Sequence, residues 1–278
     1  MSAKSKMGTG VHLGRLGRHA TIWFEARESG PPVVTMAIMD RLMEIIDSIA
    51  GHPDIRSVTL QSEGVGVFLA GGDLQEFATL DTPQKGRAMA MKMRRVLAAL
   101  EALPCPVIAV LEGDVFGGGC ETILAADIRI AVEGISLAFT QGRFGLITGW
   151  GGATRLSRRV GPSSALFLLT TGRPVSSEYA KTIRLVDKVV SRDGLDDYLA
   201  EIRANLELMS PEAIKAAKLA VQATQSLPFE ECLDRELDLF TGLWASPQHR
   251  EGLEAFFQKR APSWANSDEK TEGEREDR

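Results

Sequence analysis

The chain's 278 residues suffice to bury about 70 % of the surface exposed on unfolding, in one large domain or two small ones. Apolar residues make up 44 % and charged residues 25 %, the globular average, and no apolar run reaches the ~18 residues of a membrane span. A net charge of −5 with no basic stripe speaks against a nucleic-acid surface, and Cys105, Cys120 and Cys232, without C-x-x-C spacing, speak against a disulfide framework or a zinc ribbon.

Residues 1–17 read as an N-terminal tail, whose polar start, 1–10, lacks both the apolar stretch of a secretion signal and the Arg-rich pattern of a transit peptide. With the cysteine usage, this predicts a cytoplasmic protein. A strand over 20–26 is followed by a helix over 37–49, where Met39, Leu42, Ile45, Ile46 and Ile49 recur at three- and four-residue spacing. The next strand, 56–61, leads to Phe68-Leu69-Ala70-Gly71-Gly72-Asp73-Leu74, whose Asp73 is placed to cap a helix. Pro83 opens a helix with one apolar stripe (Met89, Met93, Val96, Leu97, Leu100, Leu103), ended by Pro104 and Pro106. A fully apolar strand over 107–111 precedes Phe116-Gly117-Gly118-Gly119-Cys120-Glu121, which opens a helix over 120–126, and another strand follows over 127–131. This alternation predicts parallel strands joined by crossover helices. From about residue 192 the pattern is helical only, with helices over 195–208, 211–223, 229–243 and 248–259. Residues 265–278 are acidic, hold no large apolar side chain and read as a disordered tail.

Two glycine-bearing segments carry the chemistry. Consecutive glycines let the backbone turn sharply and let a ligand approach the main chain, and N–H groups at a helix start are free to donate. One N–H from each segment, converging on a single oxygen, would stabilise the enolate of a thioester. Taken singly, each segment reads equally as a tight strand-to-helix turn. Glu121 lies three residues after Gly118, one helical turn away on the same face. Its carboxylate is suited to shuttling a proton there, or to complementing the helix dipole.

Five motifs stand in order: F-x-A-G-[AG]-D-L within 68–77, the P-V-I-A…G-G-G-x-E…D stretch of 106–127, G-x-x-x-G-W-G-G-x-x-R-L at 145–156, the segment 185–190, and E-G-x-x-A-F-x-x-K-R at 251–260. With these motifs the chain resembles the crotonase superfamily, the enoyl-CoA hydratase/isomerase family, from about residue 18 to 264. The resemblance implies an α/β fold, a spiral of repeated β-β-α units over 18–191 with a helical C-terminal extension, 192–264, that forms trimers or dimers of trimers. It implies acyl-CoA substrates, with coenzyme A as part of the substrate and no other cofactor or metal. It places the oxyanion-hole N–H groups on Gly72 and Gly118 and the catalytic carboxylate on Glu121. Ala70, Asp73, Gly117, Thr140, Arg143 and Trp150 then fall around the acyl group, with Phe77 and Leu80 as candidate bounds of its chain. Lys259 falls where a basic residue of a neighbouring subunit approaches the CoA phosphates.

The departures are informative. The family's hydratases carry a second glutamate in P-E-x-x-x-G; here Gln141 stands at that position, preceded by Thr140, and Thr148 replaces a later proline. Residues 29–34 replace the Asn-Ala-Leu stretch often found beside the CoA adenine. Gln141 forms hydrogen bonds but exchanges no proton at neutral pH. One carboxylate suffices for decarboxylation of a malonyl-type thioester, while hydration or dehydration would rely on Glu121 with a water on Gln141. Arg143 is a candidate cation for a substrate carboxylate, or a solvent-facing arginine. The expectation is an acyl-CoA lyase, with a hydrolase, an isomerase or a non-catalytic scaffold as alternatives. His12, His19, His52 and His249 all lie outside the matched catalytic segments.

Overall fold

The computed structural model describes residues 10–28, 30–64 and 66–265. Its first strand, β1 (Val11–Leu16), turns at Gly17 into β2 (His19–Phe24), and the two pair antiparallel. The reading of 1–17 as a tail is corrected here: β1 buries Val11 alone, too weak a pattern to announce a strand, and owes its conformation to pairing with β2. Residues 1–9, and 266–278 of the predicted disordered tail, lie outside the described residues.

Helix α1 (Met36–Ala50) starts where Thr35 Oγ1 accepts the Ile38 N–H at 3.1 Å, and it buries Ile38 and the five apolar residues of its predicted stripe. β3 (Ser57–Ser62) runs parallel to β2, and the chain then crosses to a second sheet as β4 (Val67–Leu69). After α2 (Leu74–Phe77), helix α3 (Pro83–Glu101) returns along α1 with Met93, Val96, Leu97 and Leu100 buried. The crossing repeats with β5 (Val107–Leu111), β6 (Asp114–Phe116) and α4 (Gly118–Ile123). It repeats again with β7 (Ile128–Val132), β8 (Ser136–Ala138), a 3-10 turn at Gln141–Phe144, α5 (Gly152–Val160) and α6 (Pro162–Thr171). β9 (Val175–Ser176), α7 (Ser177–Thr182) and β10 (Lys188–Val190) complete the two sheets.

The first sheet has the order β1-β2-β3-β5-β7-β10 and is parallel except at β1; the second, β4-β6-β8-β9, is parallel except at β9. The three successive turns β3/β4, β5/β6 and β7/β8 each place one strand in each sheet before a helix, the β-β-α repeat that the resemblance implies. Because β4 and β6 are neighbours, the loops leaving them, Ala70 to Asp73 and Gly117, emerge side by side.

The C-terminal extension is helical: α8 (Leu195–Leu208), α9 (Pro211–Ala223), α10 (Phe229–Trp244) and α11 (Pro247–Gln258), within one residue of the predicted bounds. Polar anchors tie it to the spiral. Arg56 donates to the carbonyls of Met209 (3.1 Å) and Trp264 (3.0 Å), and Lys218 pairs with Asp127 at 2.7 Å. No helix of the described residues is long and apolar enough to cross a membrane.

Arg129 on β7 is the largest fully buried side chain and was not singled out from the sequence. Its guanidinium donates to the carbonyls of Ala126 (2.8 Å) and Leu185 (2.9 Å) and pairs with Asp187 at 2.8 Å, so it caps the chain leaving α4 and ties it to the segment before β10. Arg129→Met is expected to lose about 3 kcal/mol in denaturant unfolding, because the carbonyls lose their donor while remaining buried. A loss under about 1 kcal/mol would show that Arg159, the other partner of Asp187, compensates.

Candidate active site

The chain leaving β4 is held by Val34, whose N–H donates to the Gly71 carbonyl at 2.7 Å and whose carbonyl accepts from Asp73 N at 2.9 Å. These bonds straddle Gly72, and its N–H has no acceptor among the described residues. The Asp73 carboxylate is engaged elsewhere. Its Oδ1 caps α2 by accepting from Gln75 N and Glu76 N, and its Oδ2 meets Arg27 at 3.2 Å.

The chain leaving β6 turns at Gly117, with φ 53° and ψ −120°, a conformation for which glycine is suited. Gly118 then begins α4, and its N–H likewise has no acceptor among the described residues. The two segments touch: a Cβ on Gly71 would lie 2.6 Å from Gly118 N. A Cβ on Gly72 would lie 2.2 Å from the Phe77 ring, and one on Gly118 would lie 2.4 Å from the Trp150 indole. Bare backbone is therefore required at both positions by contact, and Phe77 and Trp150 flank the two free N–H groups.

Glu121, on the first turn of α4, is only 2 % exposed. Its Oε2 accepts from Trp150 N at 2.7 Å and Gly152 N at 2.9 Å, and its Oε1 accepts from Gln141 Nε2 at 3.1 Å. Burial pushes the carboxyl up from its ordinary value; the hydrogen bonds from Gly152, Trp150 and Gln141 oppose this without cancelling it. Gly152 is the first residue of α5, so the carboxylate complements the start of α5, not only that of its own helix. A Cβ at Gly152 would lie 2.6 Å from Glu121 Cγ, which makes this glycine part of the clamp. Thr148 takes a capping task, its Oγ1 accepting from Ala153 N at 2.8 Å.

Gln141 opens the 3-10 turn, and its Oε1 is buried with no hydrogen-bond partner among the described residues. Thr140 Oγ1 lies 3.2 Å, and the Ala70 carbonyl 3.4 Å, from where a Gly117 Cβ would stand. The structure thus brings together Ala70, Gly72, Gly117, Gly118, Glu121, Thr140, Gln141 and Trp150. Arg143 turns away: it is exposed, and its guanidinium donates to the Gly172 carbonyl at 3.2 Å, beyond the end of α6. Lys259 is exposed at the end of α11, in the left-handed region with φ 54°, and among the described residues its side chain has no hydrogen bond or ion pair to the glycine loops. Leu80 lies one turn beyond Phe77, its N–H bonded to the Phe77 carbonyl.

Arg155 was missed in the sequence although it stands inside the W-G-G-x-x-R-L motif. It grips Glu101 of α3 through two bonds of 2.6 and 2.7 Å and donates to the Trp150 carbonyl at 2.9 Å, fixing the loop whose N–H groups hold Glu121. The loop's backbone donors have no side-chain signature, so only the motif's glycines pointed to them.

A family model described as enoyl-CoA hydratase/isomerase matches residues 33–267. Among curated relatives, methylglutaconyl-CoA hydratase of Mus musculus is 29 % identical over 91 % of this chain and 82 % of its own length. Ethylmalonyl-CoA decarboxylase of Gallus gallus is 32 % identical over 78 % of this chain and 74 % of its own. The crystal structure of an enoyl-CoA hydratase from Bacillus anthracis superposes with a TM-score of 0.85 at 32 % identity, covering 91 % of this chain and 98 % of that one. The α/β spiral with its helical extension, the matched motifs and these similarities agree, and the chain belongs to the enoyl-CoA hydratase/isomerase family.

Proposed function

We propose that the protein is an acyl-CoA lyase that forms a thioester enolate between the N–H groups of Gly72 and Gly118 and moves one proton at the adjacent α-carbon with Glu121. The observation that carries this reading is the pairing of two unoccupied backbone donors with a buried, clamped carboxylate one helical turn away. Hydration of an enoyl thioester and decarboxylation of a malonyl-type thioester both build negative charge on the thioester oxygen, so donors preorganised at that oxygen lower either barrier. The names of the relatives span both reactions.

The clamp divides the carboxylate's work. Oε2 is taken by two backbone N–H groups, leaving Oε1 as the oxygen that gives or takes the proton. A raised carboxyl pKa brings the acid closer to neutral pH, where a donor of protons is most effective. The reading needs no group beyond the substrate's coenzyme A. In this reading the protein works in a reducing compartment, the cytoplasm, consistent with its free cysteines Cys105, Cys120 and Cys232.

Apolar side chains on the C-terminal helices remain uncovered in the single chain, among them Phe229, Leu237, Phe240 and Trp244 of α10. Their spacing puts them on one face of α10, and exposed apolar side chains on one helix face mark an interface. In this reading second and third copies cover it in a trimer, and Lys259 of a neighbouring copy serves the CoA phosphates.

Glu121→Gln keeps the acceptor for Trp150 N and Gly152 N but carries no transferable proton. It is expected to fold and to lose roughly 100- to 10,000-fold in kcat on an acyl-CoA substrate, measured by mass spectrometry of the esters; unchanged kcat would remove Glu121 from the mechanism. Substitution of Gly118 is a poorer test, because any Cβ meets Trp150.

A carboxyl raised on folding contributes stability below its unfolded pKa and loses it as pH rises through the folded value. The Tm of Glu121→Gln relative to wild type is therefore expected to rise as the pH is raised from the ordinary carboxylate range through the elevated ionisation of Glu121. In the proton-donating direction kcat falls with rising pH over the same ionisation.

Light scattering on the purified protein is expected to give three chains or a multiple of three, and Leu237→Glu to give smaller species. A monomeric wild type would refute the assembly.

A further inference from the structure

The buried oxygen of Gln141 deepens the enolate reading and rests on it. With Glu121 ionised, Gln141 donates Nε2 to Glu121 Oε1 and leaves its own Oε1 buried without a donor, an unfavourable arrangement. A proton added to Glu121 goes to Oε1, because Oε2 faces two N–H groups, and that oxygen faces Gln141. An amide turned by half a revolution keeps its shape and exchanges its donor and acceptor ends. Turned in this way, Gln141 Oε1 accepts from protonated Glu121, and Nε2 presents its two hydrogens where the unpartnered oxygen now lies.

We infer that Gln141 is the specificity-determining residue of this site, selecting acyl thioesters that carry an ionised carboxylate on the α-carbon and receiving that carboxylate on Nε2. A glutamate in its place would repel such a group. The substrate carboxylate, brought beside Glu121, itself favours the protonated form of that residue, so binding loads the proton that the reaction consumes. Arg143 directs its guanidinium to the Gly172 carbonyl and makes no bond to Gln141 or Glu121. Among the described residues no cation bonds to Gln141 or Glu121, the nearby Arg155 being paired with Glu101, and this has a catalytic consequence. A salt bridge would stabilise the carboxylate in the ground state and oppose its loss, whereas a neutral amide recognises the group without holding its charge.

The bond from the α-carbon to the carboxylate breaks and CO2 leaves; the electron pair passes to the thioester oxygen, held by the N–H groups of Gly72 and Gly118. The enolate pair then forms the C–H bond with the proton from Glu121 Oε1. Glu121 is left ionised, Gln141 turns back to donate to it, and one proton is taken up from solvent per turnover.

The test measures kcat and KM of the purified full chain on an alkylmalonyl-CoA, read as CO2 release, and on crotonyl-CoA, read as hydration. It compares wild type with Gln141→Glu and the neutral Gln141→Met. Wild type is expected to release CO2. Gln141→Glu is expected to lose at least about 100-fold in kcat/KM on the alkylmalonyl ester while its hydration of crotonyl-CoA rises. Gln141→Met is expected to show the raised KM on the alkylmalonyl ester without the gain in hydration, and it decides the matter if Gln141→Glu fails to fold. Hydration by wild type without CO2 release would overturn the inference and leave the enolate reading standing. CO2 release that neither substitution weakens would overturn the assignment to Gln141. Turnover of neither ester would sink both.

Discussion

The site depends on one contact, the buried carboxylate of Glu121 against the N–H groups of Trp150 and Gly152. An ionisable group at 2 % exposure is tolerable only with hydrogen bonds to offset its lost hydration. Here the start of α5 supplies them and has its own unsatisfied donors capped in return. Much of the neighbouring sequence follows from this contact. Gly152 must lack a Cβ, Thr148 must cap the next N–H, and Arg155 must hold the loop against Glu101 of α3. The indole of Trp150, placed by the same loop, then forbids a side chain at Gly118. The free N–H of Gly118 and the fixed carboxylate are two results of one packing arrangement.

The fold was legible where burial follows a single period. The stripe of α1, the Pro83 start of α3 and the four C-terminal helices lie where apolar spacing and caps put them, because each helix meets the core or its neighbours along one face. β1 was not legible, since an edge strand with one buried residue has no pattern distinct from a polar tail. Arg129 escaped notice for a different reason. A charged residue in a strand ordinarily faces solvent, and only the tertiary structure gathers carbonyls from Ala126 and Leu185 around one guanidinium.

The candidate site was legible to the extent that its parts are glycines and one acidic residue in motifs. Gly72, Gly118 and Glu121 were placed in sequence, and the structure brings their segments into contact. Backbone donors such as Trp150 N have no residue type to betray them, and Arg155 was passed over because its role lies in gripping Glu101, far away in sequence. Arg143 shows the opposite error: nearness in sequence to Gln141 suggested a pocket residue, but the tight 3-10 turn sends its side chain to Gly172. Lys259 can enter the account only through a neighbouring copy.

In the proposed mechanism Glu121, and no other group, carries a proton to and from the α-carbon of a thioester held at Gly72 and Gly118. The most direct measurement of this transfer is the exchange of α-carbon hydrogen in acyl-CoA for solvent deuterium, followed by mass spectrometry, because exchange needs neither addition of water nor loss of CO2. Deuterium uptake is expected for wild type and none above background for Glu121→Gln under the same conditions. Uptake by Glu121→Gln at the wild-type rate would contradict it.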